Sequence, residues 1–360
     1  MKQVAIVGIQ GVPAKYGGFE TLVENIIGDN CCSEICYTVF CSGKDYATRM
    51  KSYKGARLKY VPLFHANGIQ STPYDILSML KCLRGYDAVV ILGVSGCIFL
   101  PIFRLLYRKH LIVNIDGLEH RRAKWGKFAK WFLRTSEAMA VRYADVIIAD
   151  NKGIQNYVWN TYQKKAELVA YGGDHAQRDV TEERQNEILK RYGITPGCYA
   201  VSVCRIEPEN NCHLILKAFA TSGENLVFVG NWERSEYSRR LKEEYHGRQN
   251  IQMPDSVYDL DVLYALRNQC RCYIHGHSAG GTNPSLVEAM FFGKPILAYD
   301  VIYNRETTEN KAHYFKTSEE LVELLHSRPK DGCKMQEIAT KRYTWSFIAW
   351  KYRMLILSHK

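Results

Sequence analysis

Short apolar runs alternate with stretches whose apolar residues recur at helical spacing, from the first residues of the chain to the last. In the first half the runs "VAIVGI", "CYTVFC", "RLKYVPL", "AVVILG", "HLIVNI", "DVIIAD" and "ELVAY" read as strands. The pattern stops around "YGGDHAQRD" and restarts with "YAVSVC", "NLVFVG", "NIQM", "CYIHG" and "PILAYD". Strand–helix alternation of this kind predicts parallel sheets with helices on both faces. The expectation is therefore α/β, with two Rossmann-like doubly wound domains in tandem. The break in the pattern places the boundary between them near 173–180. The most apolar stretch, "AVVILGVSGCIFLPIFRLLY", is interrupted by Gly93, Gly96, Pro101 and Arg104, which predicts a buried strand followed by a core helix rather than a membrane span. The opening "MKQVAIVGIQG" lacks the apolar core and small-residue cleavage site of a signal peptide and reads as a first strand.

Doubly wound sheets bind ligands at the carboxyl ends of their strands. Here those ends are unusual: "GIQGVPAKYGG", "GVSG", "DGLEHRR", "CRIEPENN", "VGNW" and "HGHSAGGTNPS". The first is glycine-rich and leads into a helical pattern, yet it is neither G-x-G-x-x-G nor G-x-x-x-x-G-K-[ST]. A dehydrogenase is disfavoured on that ground. In the last, Pro284 suits a first helical turn, Thr282 or Asn283 can cap it, and free amides there would attract an anion such as a diphosphate. Glu288 lies about one turn further on.

Charge sharpens the picture. The formal net charge is +11 over 360 residues. Residues 1–172 hold 23 Lys/Arg against 13 Asp/Glu, and residues 173–360 hold 25 against 24, so nearly all the excess lies in the first half. That half should face something anionic. "RRAKWGKFAKWFLR", residues 121–134, carries six cations, no acids, and four large aromatics at helical spacing. It reads either as a core-facing helix with a solvated basic face or as a helix on anionic lipid, through Lys124, Trp125, Lys127, Phe128, Lys130 and Trp131. No base-reading motif supports nucleic acid. Twelve cysteines without a C-x-x-C pair read as free thiols in a reducing compartment. The "DLD" at 259–261 begins a helical pattern, where Asp is a capping choice, and His275 and His277 have no third ligand spaced near them, so no metal site is expected.

"GGTNPSLVEAMFFGKPILA" resembles the C-terminal signature of the retaining GT-B glycosyltransferases of family four. Glu288 matches the second glutamate of the family's Glu-x7-Glu motif, which binds the nucleotide ribose; the first falls on Gly280. "AVSVCRIEPENNCHLILKAF" resembles the segment whose Arg and Lys neutralise the donor diphosphate: Arg205 keeps the arginine, and Asn211 stands at the lysine position. "IVNIDGLEHRRAKWGKFAKWF" is similar to the acceptor-side segment, with Asp116 where histidine is frequent and Glu119 at the aspartate position. "GIQGVPAKYGGFETLVE" resembles a rhamnosyltransferase branch serving capsule and exopolysaccharide biosynthesis.

"TWSFIAWKYRMLIL" resembles the family's C-terminal helix that crosses back to the first domain, so the resemblance implies a GT-B fold with an N-terminal domain over 1–173 joined by a helix over 344–360 and a C-terminal domain over 174–343. It further implies a metal-independent retaining hexosyltransferase with an interdomain cleft and no cofactor beyond its nucleotide-sugar substrate. L-rhamnose from dTDP-L-rhamnose would pass to a lipid-diphosphate-linked saccharide. The enzyme would be cytoplasmic, peripheral on the inner face of the plasma membrane. Arg205, Glu288 and Asp116 would be catalytic. Gly17, Gly18, Asn211, Gly280, Gly281, Thr282, Asn283 and Glu288 would meet the donor, with Lys15 a further charge near its phosphates. Tyr16, Phe19, Glu119 and His120 would face the acceptor. A GT-B-fold nucleotide-sugar epimerase and a non-catalytic nucleotide-sugar sensor are the alternatives.

Overall fold

The computed structural model describes residues 1–15, 17–29, 34–66, 68–121 and 125–358. Tyr16 and Lys124, both expected at sites, lie outside the described residues, as do Cys31 and Cys32. The chain divides into two compact units, residues 1–171 with 345–360, and residues 172–344.

The first unit runs β1 (Lys2–Val7), α1 (Gly18–Gly28), β2 (Ile35–Ser42), β3 (Ser52–Tyr53), β4 (Ala56–Val61), α2 (Ser71–Lys81), β5 (Ala88–Leu92), α3 (Leu100–Leu106), β6 (His110–Asn114), α4 (Lys127–Tyr143), β7 (Val146–Ala149), α5 (Lys152–Tyr162) and β8 (Glu167–Leu168). Its sheet has the order β3-β4-β2-β1-β5-β6-β7-β8 and is parallel except for β3–β4. Strand propagation reverses between β1 and β5, so the loops after those two strands meet at a switch point. They meet closely: Gly8 has φ +93°, and a Cβ there would lie 2.1 Å from the Leu92 carbonyl oxygen.

The second unit holds α6 (Glu182–Arg191), β9 (Ala200–Val203), α7 (Cys212–Ser222), β10 (Leu226–Val229), α8 (Glu236–Tyr245), β11 (Ile251–Gln252), α9 (Leu260–Asn268), β12 (Cys272–His275), α10 (Pro284–Met290), β13 (Ile296–Tyr299), α11 (Ile302–Thr307), β14 (His313–Phe315), α12 (Ser318–Ser327) and α13 (Cys333–Arg342). The sheet is parallel throughout, in the order β11-β10-β9-β12-β13-β14, and its switch point lies between β9 and β12. The chain then returns as α14 (Trp345–Leu357) and packs on α1 in the first unit. Trp345, Ile348, Tyr352 and Ile356 join the core formed by β1, β2 and α1.

Every predicted strand is present. The core-helix expectation for residues after β5 is corrected. β5 is buried throughout, but α3 leaves Ile102, Leu105 and Leu106 exposed at 55%, 73% and 63%. Among the described residues no helix is long and apolar enough to cross a membrane.

One buried acid sets a pH dependence. Asp75 on α2 is packed against Gly96, and burial raises its carboxyl to about 8. Between the unfolded value near 4 and the folded value near 8, the native state holds a proton that the unfolded chain has lost. Stability therefore falls as pH rises through that window, by roughly 1.4 kcal/mol per unit from this group alone. Asp75→Asn should be stabilised over wild type at pH 8 and closely match it at pH 4; parallel pH–Tm curves for the two proteins would refute this.

Candidate functional site

In the second unit the loops after β9 and β12 are sewn together. Asn210 donates its side-chain amide to the Arg205 carbonyl (2.6 Å) and accepts from His277 Nδ1 (2.6 Å). Both the amide and the hydroxyl of Ser278 donate to the Glu209 carbonyl, each at 2.8 Å. Gly276 lies so close to Asn210 that a Cβ would sit 2.1 Å from its carbonyl oxygen. Asn211 takes the left-handed conformation (φ 48°) at the head of α7 and donates its side-chain amide to the Gly276 carbonyl at 2.9 Å. The residue expected on the donor thus spends its side chain locking the two loops.

Arg205 projects from the same loop, half-buried, with Nη1 3.5 Å from Glu207 Oε2. That carboxylate oxygen is buried and has no hydrogen-bond partner, so the guanidinium is its only close counter-charge among the described residues. His275 ends β12 fully buried; burial lowers its imidazole to about 3, and its Nε2 has no hydrogen-bond partner. It is a neutral ring.

Glu288 sits one turn into α10. Its Oε2 is 2.5 Å from Arg267 Nη2 of α9, and its Oε1 is 3.4 Å from His175 Nε2. Burial pushes the carboxyl up, but the Arg267 guanidinium and His175 outweigh it and hold the group below the usual carboxylate range. Arg267 is almost wholly buried. His175 reaches α10 because Gly173 approaches it closely: a Cβ on Gly173 would stand 2.9 Å from the Glu288 amide nitrogen. Neither Arg267 nor His175 was found by sequence reasoning, since a lone Arg in "YALRNQ" and a lone His in a polar loop carry no mark of their partner.

At the head of α10 several amides have partners within the chain. Asn283 caps the helix, its Oδ1 accepting from the Ser285 amide at 3.0 Å, and Pro284 has no amide. The Leu286 and Val287 amides go to the Asn283 carbonyl. The Ser285, Leu286 and Val287 amides are thus satisfied within the chain, and the cations of these loops and helices include Arg205, paired with Glu207, and Arg267, paired with Glu288. Gly281 and Thr282, just ahead of α10 in the chain, are buried. Gly280, where the resembled pattern has a glutamate, has φ +99°, a conformation that any side chain would strain. Asp259 caps α9 through the Asp261 and Val262 amides, and Asp261 pairs with Arg178, so "DLD" is a helix start. Among the described residues no three His, Cys, Asp or Glu side chains converge.

In the first unit the glycine-rich loop is clamped by two carboxylates one turn apart on α1. The Gln10 amide donates to Glu20 Oε1 at 2.9 Å, and the Ala14 amide donates to Glu24 Oε2 at 2.7 Å. Glu24 also accepts from Tyr53 and pairs with Lys54. Gly17 was expected to make room for a ligand. Instead its φ of +129° and its missing side chain make room for Glu20, whose Oε2 would lie 2.0 Å from a Cβ there. Gly18 opens α1. Lys15, offered as a charge for the donor, donates to the Asp45 carbonyl and covers the Tyr46 ring.

Around this loop an acidic group assembles that only the fold reveals. Burial raises the Glu20 carboxyl against the opposing Gln10 hydrogen bond, and the nearby Asp116 charge adds to the rise. Asp116 follows β6 with φ 60°, its amide held by Asn114 Oδ1 and its carboxylate 3.5 Å from the Tyr171 hydroxyl. Phe19 packs on Tyr171, ring centroids 6.2 Å apart. The structure thus brings Phe19 and Asp116 together through Glu20 and Tyr171. It takes Glu119 and His120 elsewhere. Glu119 accepts from Trp125, while His120 donates to Glu137 on α4 at 3.1 Å. Glu137 is buried and also accepts from Tyr157 and Tyr162; burial raises its carboxyl, but His120 and the two phenols hold it below the usual range. Glu137 could have been suspected as the sole acid in a long basic helix.

Two parallel doubly wound units with switch-point loops of this kind, and a last helix returning to the first, define a GT-B glycosyltransferase fold. Residues 185–342 match the family "Glycosyl transferases group 1", and residues 1–174 match a "Domain of unknown function", DUF1972. The second unit is thus similar, over most of its length, to the glycosyl transferases group 1 domains. No curated protein matches the chain significantly. Among solved structures, sucrose-phosphate synthase from Thermosynechococcus elongatus superposes with a TM-score of 0.81 at 14% identity, covering 99% of this chain and 100% of that one. Anabaena HepE in complex with UDP-glucose gives 0.76 at 13% identity, covering 99% and 100%. The catalytic domain of Arabidopsis thaliana starch synthase IV, bound to ADP and acarbose, gives 0.72 at 12% identity, covering 99% of each.

Proposed function

We propose that this protein is a retaining, metal-independent hexosyltransferase that takes its sugar from a nucleotide donor held by the second unit. The observation that carries the reading is that one segment matching the glycosyl transferases group 1 model carries a half-exposed Arg205 in the loop after β9 and, on the helix after β12, a Glu288 kept ionised by Arg267 and His175. Arg205 is the charge available to a diphosphate, and displacing Glu207 from it would leave the guanidinium free to meet charge developing on the leaving oxygen. Glu288, kept ionised by Arg267 and His175, is a fixed acceptor for ribose hydroxyls. The attacking acceptor hydroxyl would give its proton to the departing diphosphate oxygen on the same face. HepE and starch synthase IV, which superpose over the whole chain, were solved with UDP-glucose and ADP.

The acceptor reading is a lipid-diphosphate-linked saccharide met by the first unit, with Phe19 and Asp116 as its contacts, in surface polysaccharide assembly. L-rhamnose from dTDP-L-rhamnose is the donor favoured by the resemblance of "GIQGVPAKYGGFETLVE" to the rhamnosyltransferase branch. The strongly basic first half and the aromatic, cationic start of α4 support docking on an anionic membrane from the cytoplasmic side.

Turnover should survive EDTA, because Arg205 replaces a metal as the diphosphate counter-charge. Activity abolished by EDTA and restored by Mn²⁺ or Mg²⁺ would overturn the mechanism. Screening nucleotide sugars by thermal shift tests the donor site: a ligand at 100 times its Kd should stabilise the chain by roughly 2.7 kcal/mol.

A further inference from the structure

The aromatic start of α4 is not alone on its side of the sheet. Chain propagation from β5 to β6 to β7 runs in one direction, and right-handed crossovers place α3 and α4 on the same sheet face. The two helices pack against each other. On α3, Ile102, Leu105 and Leu106 fall at i, i+3 and i+4, so they form one stripe, and each is more than half exposed. On α4, Phe128 and Trp131 are exposed at 77% and 62%, their rings 5.8 Å apart. Five large apolar side chains so exposed on two helices that pack together exceed the scattered single apolar residues of an ordinary surface.

Among the described residues, the charges on or beside the two helices that have no ion-pair partner are cations, since Asp145 and Asp87 are paired with Arg104 and Lys109. Arg108, Lys127 and Arg134 are exposed on or beside the two helices. The one acid on either helix is Glu137, and it is buried. An apolar stripe rimmed by unneutralised cations suits a surface that is apolar below and anionic above. A symmetric pairing with a second copy would instead bring the same cations face to face.

We infer that α3 and the first turns of α4 form a two-helix wedge. Ile102, Leu105, Leu106, Phe128 and Trp131 enter the acyl boundary of an anionic bilayer while the surrounding cations hold its headgroups. The inference rests on the membrane-docked reading above and deepens it by assigning insertion to α3, a helix whose sequence carries no basic amphipathic signature of its own.

The test is vesicle co-sedimentation of the full chain, without nucleotide sugar, on phosphatidylcholine vesicles with and without phosphatidylglycerol. Wild type should bind the anionic vesicles and retain a salt-resistant fraction from apolar insertion. Ile102→Ser/Leu105→Ser/Leu106→Ser should bind at least 10-fold more weakly and lose that fraction, with an unchanged far-ultraviolet spectrum and melting point. Leu105→Phe should bind as well as wild type. Equal partition of wild type and the triple Ser variant would overturn the wedge. So would a wild-type dimer that sediments without vesicles and that the triple variant abolishes, since the patch would then be a protein interface. Nucleotide-sugar thermal shift on the same samples separates the two readings: loss of the donor response in wild type defeats the glycosyltransferase reading while leaving vesicle binding to decide the wedge.

Discussion

Replacing Glu288 by Ala should both unfold the second unit more easily and abolish donor binding. The Arg267 guanidinium is almost wholly buried, its Nη2 rests on Glu288 Oε2, and its Nε has no hydrogen-bond partner. Removing one partner of a buried pair leaves an uncompensated charge, which costs about 3–5 kcal/mol. Glu288→Gln keeps a hydrogen-bonding oxygen for Arg267 and should cost roughly half as much, while still weakening the donor by loss of the ionised acceptor. Urea unfolding and nucleotide-sugar titration on the same samples measure the two effects. A Glu288→Ala protein as stable as wild type would show that Arg267 is held by something else. The pair also has a pH signature: because the Glu288 carboxyl is held below its usual range, its stabilising contribution is present above about pH 4 and is lost as pH falls below that.

Arg205 should behave in the opposite way. Its guanidinium is half-exposed and, among the described residues, pairs at 3.5 Å with Glu207, so Arg205→Ala should cost less stability than Glu288→Ala, the loss being the counter-charge of one buried Glu207 oxygen. Turnover should drop by about 10²-fold or more, since a fixed positive group aimed at a leaving diphosphate acts chiefly in the transition state. Arg205→Lys should recover only part of that, because an ammonium cannot present two parallel donors to a diphosphate. Folded Arg205→Ala that turns over like wild type would remove the diphosphate role from this residue.

Period and turn chemistry made both sheets legible, because most of the strands are short apolar runs buried on two faces, such as β5, β6, β10 and β12, while β4 shows the alternation of a half-buried strand. The two strands that escaped notice are β3, a two-residue antiparallel edge, and β14, three residues beginning with a histidine. Neither has enough length to show a period. α3 misled for a different reason: an apolar run at helical spacing has the same appearance whether it faces a core or a membrane. Arg205 and Glu288 could be found as unusual residues at strand ends. Their partners could not, because Arg267 is 21 residues from Glu288 and His175 is 113, and neither separation has a local period. The same holds for the Glu20–Asp116–Tyr171 group, which converges from three strand ends. A hint existed at Glu20, an acid three residues after the Gly17 N-cap, where a side chain reaches back to loop amides.

The central claim is that this chain transfers a sugar from a nucleotide donor to an acceptor. Its most direct test is incubation of the purified protein with labelled dTDP-L-rhamnose, and in parallel UDP-glucose, in the presence of lipid-linked saccharide and EDTA, with nucleoside diphosphate and labelled lipid quantified together. One donor should yield equimolar nucleoside diphosphate and glycosylated lipid, with anomeric configuration retained and at least 10²-fold less product from Arg205→Ala. Release of diphosphate or conversion of the donor without any glycosylated lipid, or donor binding with no turnover at all, would contradict it in favour of an epimerase or a sensor.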